Sequence, residues 1–307
     1  MNYEQFCHHL HKSLVDDFPV NTVFRFHKIK RNNGVSADAL FICAPGDSCT
    51  PVFYVDDYYA SYLSGQSPSQ ICEQIGLAYM RETAVSIFSP EDFTSYPQIA
   101  GNIVFRIVNA AGNRELLCDA PHRLFLDLAI IYYILVFAGN DSIGTTHITN
   151  RHLELWEKTE EDIFRRAMHN TPLLLPSHAV SMEEVLRGLC AEVCAKDESA
   201  PEMHAMPESG ASPMYVLSND KNLYGAAVMA YPDFPEQLYR RYSSYYLLPS
   251  SVHELILIPD SPGLSAASLI ETVREINRSV LNPEDFLSDH IYYYEKRHGL
   301  RLIAQVG

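Results

Sequence analysis

The hydrophobic positions of this 307-residue chain recur with two periods. Near the start, Phe6, Leu10 and Leu14 lie four residues apart, which predicts an amphipathic helix over residues 3–16. Elsewhere, short apolar stretches are bounded by turn-forming residues, a pattern typical of strands. Because both periods alternate along the whole chain, the sequence indicates an α+β protein.

Residues 1–95 are predicted to form a smaller N-terminal α/β part. Two apolar stretches flank Asn32-Asn33-Gly34, residues that readily take the positive φ angles of a tight turn, and so predict a hairpin. Its strands are Val23–Ile29 and Ala39–Cys43, and Pro51–Val55 is the third strand of the same sheet.

Residues 96–194 are predicted to hold the main sheet and several helices. The most apolar run, Leu128–Ala138, is rich in β-branched and aromatic residues, which suits a central strand covered on both faces. It is too short for a membrane helix, which needs about 20 residues. Asn102–Val108 and Glu115–Cys118 are predicted to form another hairpin.

Residues 195–213 are rich in Pro, Ser and Glu and have no apolar periodicity, so a flexible connection is predicted there. Residues 214–307 form a C-terminal α+β part that completes the sheet, with Tyr224–Ala230 among its strands. The whole is predicted as a mixed, mainly antiparallel sheet with flanking helices.

The charge of the chain limits the classes of partner. The 23 Lys and Arg residues against 38 Asp and Glu give a formal net charge of −15, which disfavours broad contact with nucleic-acid phosphates. One basic stretch, Arg25–Arg31, leaves a local nucleic-acid contact open. The alternative is that these charges protect an edge strand from unwanted pairing.

The cellular location is predicted from the chain start and the cysteines. Met1–Gln5 lacks the basic and apolar segments of a secretory signal, and seven scattered cysteines are typical of reduced thiols. We therefore expect a cytoplasmic protein without membrane contact. Cys190, Cys194 and His204 could form a thiolate metal site, but their spacing fits no zinc pattern and core packing is favoured. No metal or cofactor is predicted.

The stretch before one C-terminal strand carries the best candidate polar site. Ser250 and Ser251 precede His253 and Glu254, which places two hydroxyls, an imidazole and a carboxylate together. A serine nucleophile needs an imidazole within hydrogen-bond reach and a group that orients it. Sequence adjacency does not supply that geometry, and the alternative is that the serines satisfy loop amides.

Tyrosine, present 19 times, supplies the candidate binding surface. Tyrosine offers a large rigid area with a polar tip, which suits interfaces, although it also suits half-buried strands. Tyr58 and Tyr59 are predicted to be the exposed pair, available to a possible protein partner.

Several segments resemble a family of uncharacterised proteins from clostridial-type gut bacteria, the domain-of-unknown-function family numbered 5688. The similarity covers nearly the whole chain. The segments that carry it are Arg31–Val35, Pro51–Tyr59, Asp127–Tyr132, Ile148–Trp156, Met214–Asn219, Gly225–Ala227, Leu248–Glu254 and Leu287–Asp289. The resemblance implies a single-chain cytoplasmic bacterial protein with no agreed activity, so it supplies no functional positions.

Three functions follow as hypotheses. The first is a non-catalytic binding or regulatory protein with an unknown partner, because the chain lacks the common catalytic motifs. The second is a hydrolase that uses Ser250 or Ser251 with His253. The third is nucleic-acid contact through Arg25–Arg31. Ligand, reaction and oligomeric state do not follow from the sequence.

Overall fold

The computed structural model describes residues 1–47, 50–84, 88–138, 143–188 and 213–303. It confirms the α+β class: helices accompany three sheets, and every strand pairing within these ranges is antiparallel. Of the connection predicted at residues 195–213, only residue 213 is among the described residues. Among the described helices, none has the length and apolarity that a membrane span requires.

The N-terminal part is a three-stranded sheet covered by helices. The sheet runs β1-β2-β3 and has its own core, in which Phe6, Leu10 and Leu14 of the first helix are buried as their spacing predicted. Its elements are α1 (Tyr3–Asp17), β1 (Val23–Lys30), β2 (Ser36–Cys43), β3 (Val52–Tyr54), α2 (Val55–Leu63) and α3 (Pro68–Ala84).

The second sheet is built around β6 (Leu128–Ala138), the predicted central strand. One edge of β6 pairs with β4, and the other edge pairs first with β5 and then with β7. The remaining strands are β4 (Ile103–Asn109), β5 (His122–Phe125) and β7 (Ile143–His147), and the helices of this region are α4 (Tyr96–Ile99), α5 (Arg114–Asp119), α6 (Asn150–Trp156), α7 (Glu160–Leu174) and α8 (residues 182–188).

The third sheet has six strands in the order β13-β12-β10-β11-β9-β8. Its strands are β8 (Ser177–Ser181), β9 (Tyr215–Asn219), β10 (Tyr245–Pro249), β11 (Leu255–Pro259), β12 (Ile291–Glu295) and β13 (Gly299–Ile303), with helices α9 (Phe234–Tyr242) and α10 (Ala266–Ser279). The predicted closing hairpin is therefore present as β12 and β13. The C-terminal strands form a sheet of their own, to which the central region contributes β8.

One hydrophobic core joins the second and third sheets. Phe105 and Tyr132 from the second sheet and Tyr245 and Tyr292 from the third are buried in the same cluster. Because these apolar side chains are removed from water only when the two sheets pack together, the hydrophobic effect holds the sheets together. The division of the chain at residue 95 and at residues 195–213 stays a prediction.

Two segments predicted as strands are helical. Residues 115–118 belong to the short helix α5, where Leu116 and Leu117 both pack against the second sheet. Residues Gly225–Ala230 form a 3₁₀ helix, and all six are buried. Gly225–Ala230 is buried on every side, and the other segment has only four residues, so neither shows a periodicity by which strand and helix can be told apart.

The turn between β1 and β2 docks on the rest of the molecule. Asn33 adopts a left-handed conformation with φ 58°, and its side-chain Nδ2 donates to the carbonyl oxygens of Pro283 and Phe286, both at 2.8 Å. Its Oδ1 accepts from Nδ2 of Asn113 at 2.9 Å. The N-terminal sheet is thereby fixed against the second sheet and the 3₁₀ segment Pro283–Asp285.

Candidate functional site

A cleft of about 1460 Å³ lies where the three sheets meet. The N-terminal wall comes from the β1–β2 turn and β3, the central wall from β4, β6 and β7, and the C-terminal wall from three loops. The lining includes Arg31 and Tyr54 on the first wall, Arg106, Tyr133, Thr145 and His147 on the second, and Tyr224, His253, Glu284 and Asp285 on the third.

Strand alternation explains the central wall. In β4, Phe105 and Ile107 point into the shared core, so Arg106 between them points to the opposite face. Tyr133 of β6 lies opposite His147 of β7 in the register. An arginine, a tyrosine and a histidine therefore share the face of the second sheet that forms the cleft.

The guanidinium group of Arg106 lies between two aromatic rings. Its Cζ is 3.5 Å from the ring centroid of Tyr224 and 4.2 Å from that of Tyr133, and Nη2 donates to Oγ1 of Thr145 at 2.8 Å. The negative faces of both rings attract the cation. Two rings and one hydroxyl thus fix the plane of this guanidinium.

Tyr224 reaches this position through an uncommon backbone conformation. Its φ is 54° and its ψ 27°, in the left-handed region that a bulky side chain rarely adopts. The amide of Tyr224 donates to Nδ1 of His253 at 3.1 Å, which helps to hold that conformation. Residues held in sparsely populated backbone regions cluster at ligand sites, where the surroundings compensate the strain.

His147 is neutral and has a buried ring nitrogen without a partner. Its Nε2 makes no hydrogen bond with any residue that the structure describes. Burial, and then the charges of Arg106 and His152, lower its pKa to about 4, against the opposing effect of Asp119. An unsatisfied buried polar atom is uncommon in native proteins, so this nitrogen calls for an explanation.

Substituting His147 by phenylalanine should make the protein less sensitive to acid. In the unfolded chain the imidazole takes up a proton near pH 6.5, whereas in the folded protein it does so near pH 4. Between these values the unfolded state binds more protons, so this residue lowers the free energy of unfolding as the pH falls, by at most about 3 kcal/mol. Urea unfolding from pH 7 to 4 should show the variant gaining stability relative to wild type. Parallel curves would contradict this assignment.

The N-terminal wall is held across the cleft by Arg31. Its Nε lies 2.6 Å from Oε2 of Glu284, its Nη1 lies 3.4 Å from Oδ1 of Asp57, and its Cζ lies 4.0 Å from the ring centroid of Tyr54. Arg31 therefore has two carboxylate partners. Arg106 has none among the described residues, so the two cleft arginines differ in how their charges are balanced.

Ser250 to Glu254 form the loop between β10 and β11, and only His253 of the four candidate residues lines the cleft. Oγ of Ser250 donates to Oε1 of Glu254 at 3.1 Å, and Oγ of Ser251 accepts from the His253 backbone amide at 3.0 Å. These bonds engage each serine with a group other than the imidazole.

Both ring nitrogens of His253 have partners. Since Nδ1 accepts from the Tyr224 amide, Nε2 carries the proton and donates to Oδ1 of Asp285 at 3.2 Å. The lone pair that a general base needs is therefore occupied. The hydrogen bonds do not assemble the serine–imidazole pair that the hydrolase hypothesis requires.

Of the other two predicted surfaces, the tyrosine pair does not line the cleft, whereas the basic stretch reaches the cleft at Lys30 and Arg31. Tyr58 and Tyr59 are half-buried and pack against the N-terminal core, with the Tyr59 ring edge-on to Tyr3. In the basic stretch, Lys30 is paired with Glu115, and Arg31 is paired as described above. Arg25, His27 and Lys28 are exposed on β1, an edge strand of its sheet.

A serine–histidine–aspartate cluster joins the second and third sheets, and its serine is buried. Asp127 accepts hydrogen bonds from Ser288 at 2.6 Å and Tyr292 at 2.8 Å, and His290 Nδ1 lies 3.0 Å from the same carboxylate. Ser288 is 1% exposed, so a substrate cannot reach its hydroxyl. The cluster is a polar junction between sheets.

The described residues hold no group of three or more His, Cys, Asp or Glu side chains arranged for a metal ion. Cys190, Cys194 and His204, considered above as a thiolate site, lie outside the described residues.

Reasoning from sequence missed Arg106, Tyr224 and His147. One signal was available: Arg106 is the only charged residue in strand Ile103–Asn109, and the residues on either side of it are apolar. A charge in a strand buried on its other face needs a partner or a function. For Tyr224 and His147 the sequence carries no comparable signal, because their neighbours come from distant segments.

The comparisons with known proteins give a family and no activity. Residues 3–296 match a family model described as "Family of unknown function (DUF5688)". No curated protein and no solved structure matches the chain significantly. The match covers nearly the whole chain and agrees with the resemblance seen in the sequence. The chain therefore belongs to the DUF5688 family of unknown function.

Proposed function

We propose that this protein binds a small molecule in the cleft and does not act on it chemically. One observation carries the proposal: the central wall presents an arginine without a carboxylate partner and an imidazole nitrogen without a hydrogen bond, both counted over the described residues. Concave sites with a few converging polar groups on aromatic walls are typical of ligand binding. The cleft exceeds the usual volume of about 300 to 1000 Å³, so it can hold an extended ligand.

Binding is favoured over hydrolysis by the hydrogen bonds of the β10–β11 loop. The serine hydroxyls are engaged by Glu254 and by a backbone amide, and the His253 imidazole is engaged at both nitrogens. In this arrangement His253 accepts a hydrogen bond from the Tyr224 backbone amide and so positions Tyr224. A nucleic-acid function has less support, because Lys30 and Arg31 are already paired with carboxylates.

A thermal-shift screen of a chemically diverse small-molecule library against the purified protein tests the proposal. We expect compounds that raise the melting temperature, since a ligand that binds only the folded state stabilises it. Calorimetry on a hit should then show about tenfold weaker binding to Tyr54→Ala, which removes an aromatic surface of the cleft.

Tyr293→Ala is the matched control. Like Tyr54, Tyr293 is half-buried and carries an arginine over its ring, with Cζ of Arg301 5.1 Å from the centroid, but it lies outside the cleft. Its loss should leave ligand affinity unchanged. A screen without hits, or hits bound equally well by Tyr54→Ala, would refute binding in this cleft.

A further inference from the structure

Arg106 brings a positive charge into the cleft that no described carboxylate balances. Its guanidinium group is half-buried, lies between two rings and has no carboxylate within ion-pair distance among the described residues. Moving a charge out of water without a counter-charge is costly. In a chain of net charge −15, where carboxylates are abundant, this position lacks the partner that Arg31 has.

The geometry leaves donors of Arg106 available. A guanidinium has N–H groups in a fixed planar fork, which matches the oxygens of a carboxylate or phosphate. The bond to Thr145 uses one of them, and the faces of the plane are covered by Tyr133 and Tyr224. A ligand can therefore approach only at the edge of the guanidinium, where its oxygens meet N–H groups.

His147 adds a second group beside the first. Its ring lies 5.0 Å from that of Tyr133, and it shares the face of β7 with Thr145, to which Arg106 donates, so the imidazole and the guanidinium lie on one wall. Burial, and then the charge of Arg106, lower the pKa of this imidazole and keep it neutral, and a neutral imidazole can donate from one nitrogen. His147 lines the cleft, but its unpaired Nε2 atom is itself buried, so a ligand oxygen can pair with Nε2 only when the imidazole turns toward the cleft.

We infer that the cleft binds a small organic anion whose carboxylate or phosphate group is held by Arg106, with His147 as a second contact. The inference rests on the proposed function, because it assigns a ligand class to the same cleft. The cleft also has carboxylates in its lining, but at the central wall the charge of Arg106 disfavours a cationic group, and a neutral ligand would leave that charge without a partner.

Inorganic phosphate and benzoate are suitable probes, one for each kind of oxyanion. Wild-type protein should be stabilised by at least one of them in a thermal-shift titration, and calorimetry should give its affinity. Arg106→Gln should weaken that binding by about tenfold or more, since charge-assisted fork contacts are strong, and Arg106→Lys should retain part of it. Arg165→Gln, at an exposed arginine on α7, should have no effect.

The His147→Phe variant distinguishes a role of His147 in ligand binding from a purely structural role. The substitution should leave the unliganded protein at least as stable as wild type, because it removes an unpaired buried polar atom, and yet weaken probe binding by about threefold to tenfold. If Arg106→Gln fails to fold, this variant and Arg106→Lys still decide the matter.

The outcomes separate this inference from the proposed function. Binding of either probe that is lost in Arg106→Gln supports the inference and identifies the oxyanion. If neither probe binds while neutral or cationic library compounds bind and depend on Tyr54, the inference is wrong and the proposed function stands. Probe binding that Arg106→Gln leaves unchanged also overturns it. If nothing binds, both are wrong.

Discussion

Replacing Gly225 by alanine should lower the free energy of unfolding by about 3 kcal/mol, because overpacking of a buried site is costly. A Cβ atom at this position would overlap Ser218 Oγ and lie 2.6 Å from the carbonyl oxygen of His253 and 2.7 Å from the amide nitrogen of Asn219. Two of these atoms belong to the backbone and cannot rotate away. The cause is steric, since Gly225 has no positive φ. Urea unfolding measures the effect.

Gly76→Ala is the control with the opposite sign. Gly76 lies inside helix α3, and a Cβ there would meet nothing within 4 Å. Alanine is favoured over glycine in a helix interior, so this variant should be more stable than wild type by about 1 kcal/mol. If Gly225→Ala has the same free energy of unfolding as wild type, the close approach of Gly225 to the His253 loop is wrong.

Asn33→Ala should destabilise the protein by about 3 kcal/mol, from two contributions. The side chain makes hydrogen bonds to Pro283, Phe286 and Asn113, and the residue has a left-handed backbone that alanine adopts at a cost. Asn113 is only 3% exposed, so it would lose a partner that water cannot easily replace. The midpoint of urea unfolding reports the sum.

Asn21→Ala isolates the backbone contribution. Asn21 also has a left-handed conformation, with φ 73°, but it is exposed. Its substitution should cost about 1 kcal/mol. Equal losses for the two variants would mean that the contacts of Asn33 with the rest of the molecule do not stabilise the fold.

The periodicity of the sequence predicted most elements because each has one buried face. Phe6, Leu10 and Leu14 predicted α1, and the apolar run Leu128–Ala138 predicted β6. The method failed for residues 115–118 and Gly225–Ala230. Both segments contain good helix formers, Leu and Glu in the first and Ala and Met in the second, but each is too short to show a helical period.

The candidate site was predicted less well, for a different reason. Ser250, Ser251, His253 and Glu254 were recognised by their adjacency along the chain, but a site depends on adjacency in space. His253 does lie at the cleft, although its hydrogen bonds give it a positioning role. Arg106 could have been noticed as a lone charge in an apolar strand.

The sequence alone determined the α+β class, the main strands and helices and the family, because these depend on residue order and on hydrophobic pattern. Tertiary structure alone decided that Arg106, Tyr224 and His147 share one cleft, since they belong to different segments that the common core brings together. It also decided which charges are paired. Pairing depends on distances between side chains, and the order of residues does not contain those distances.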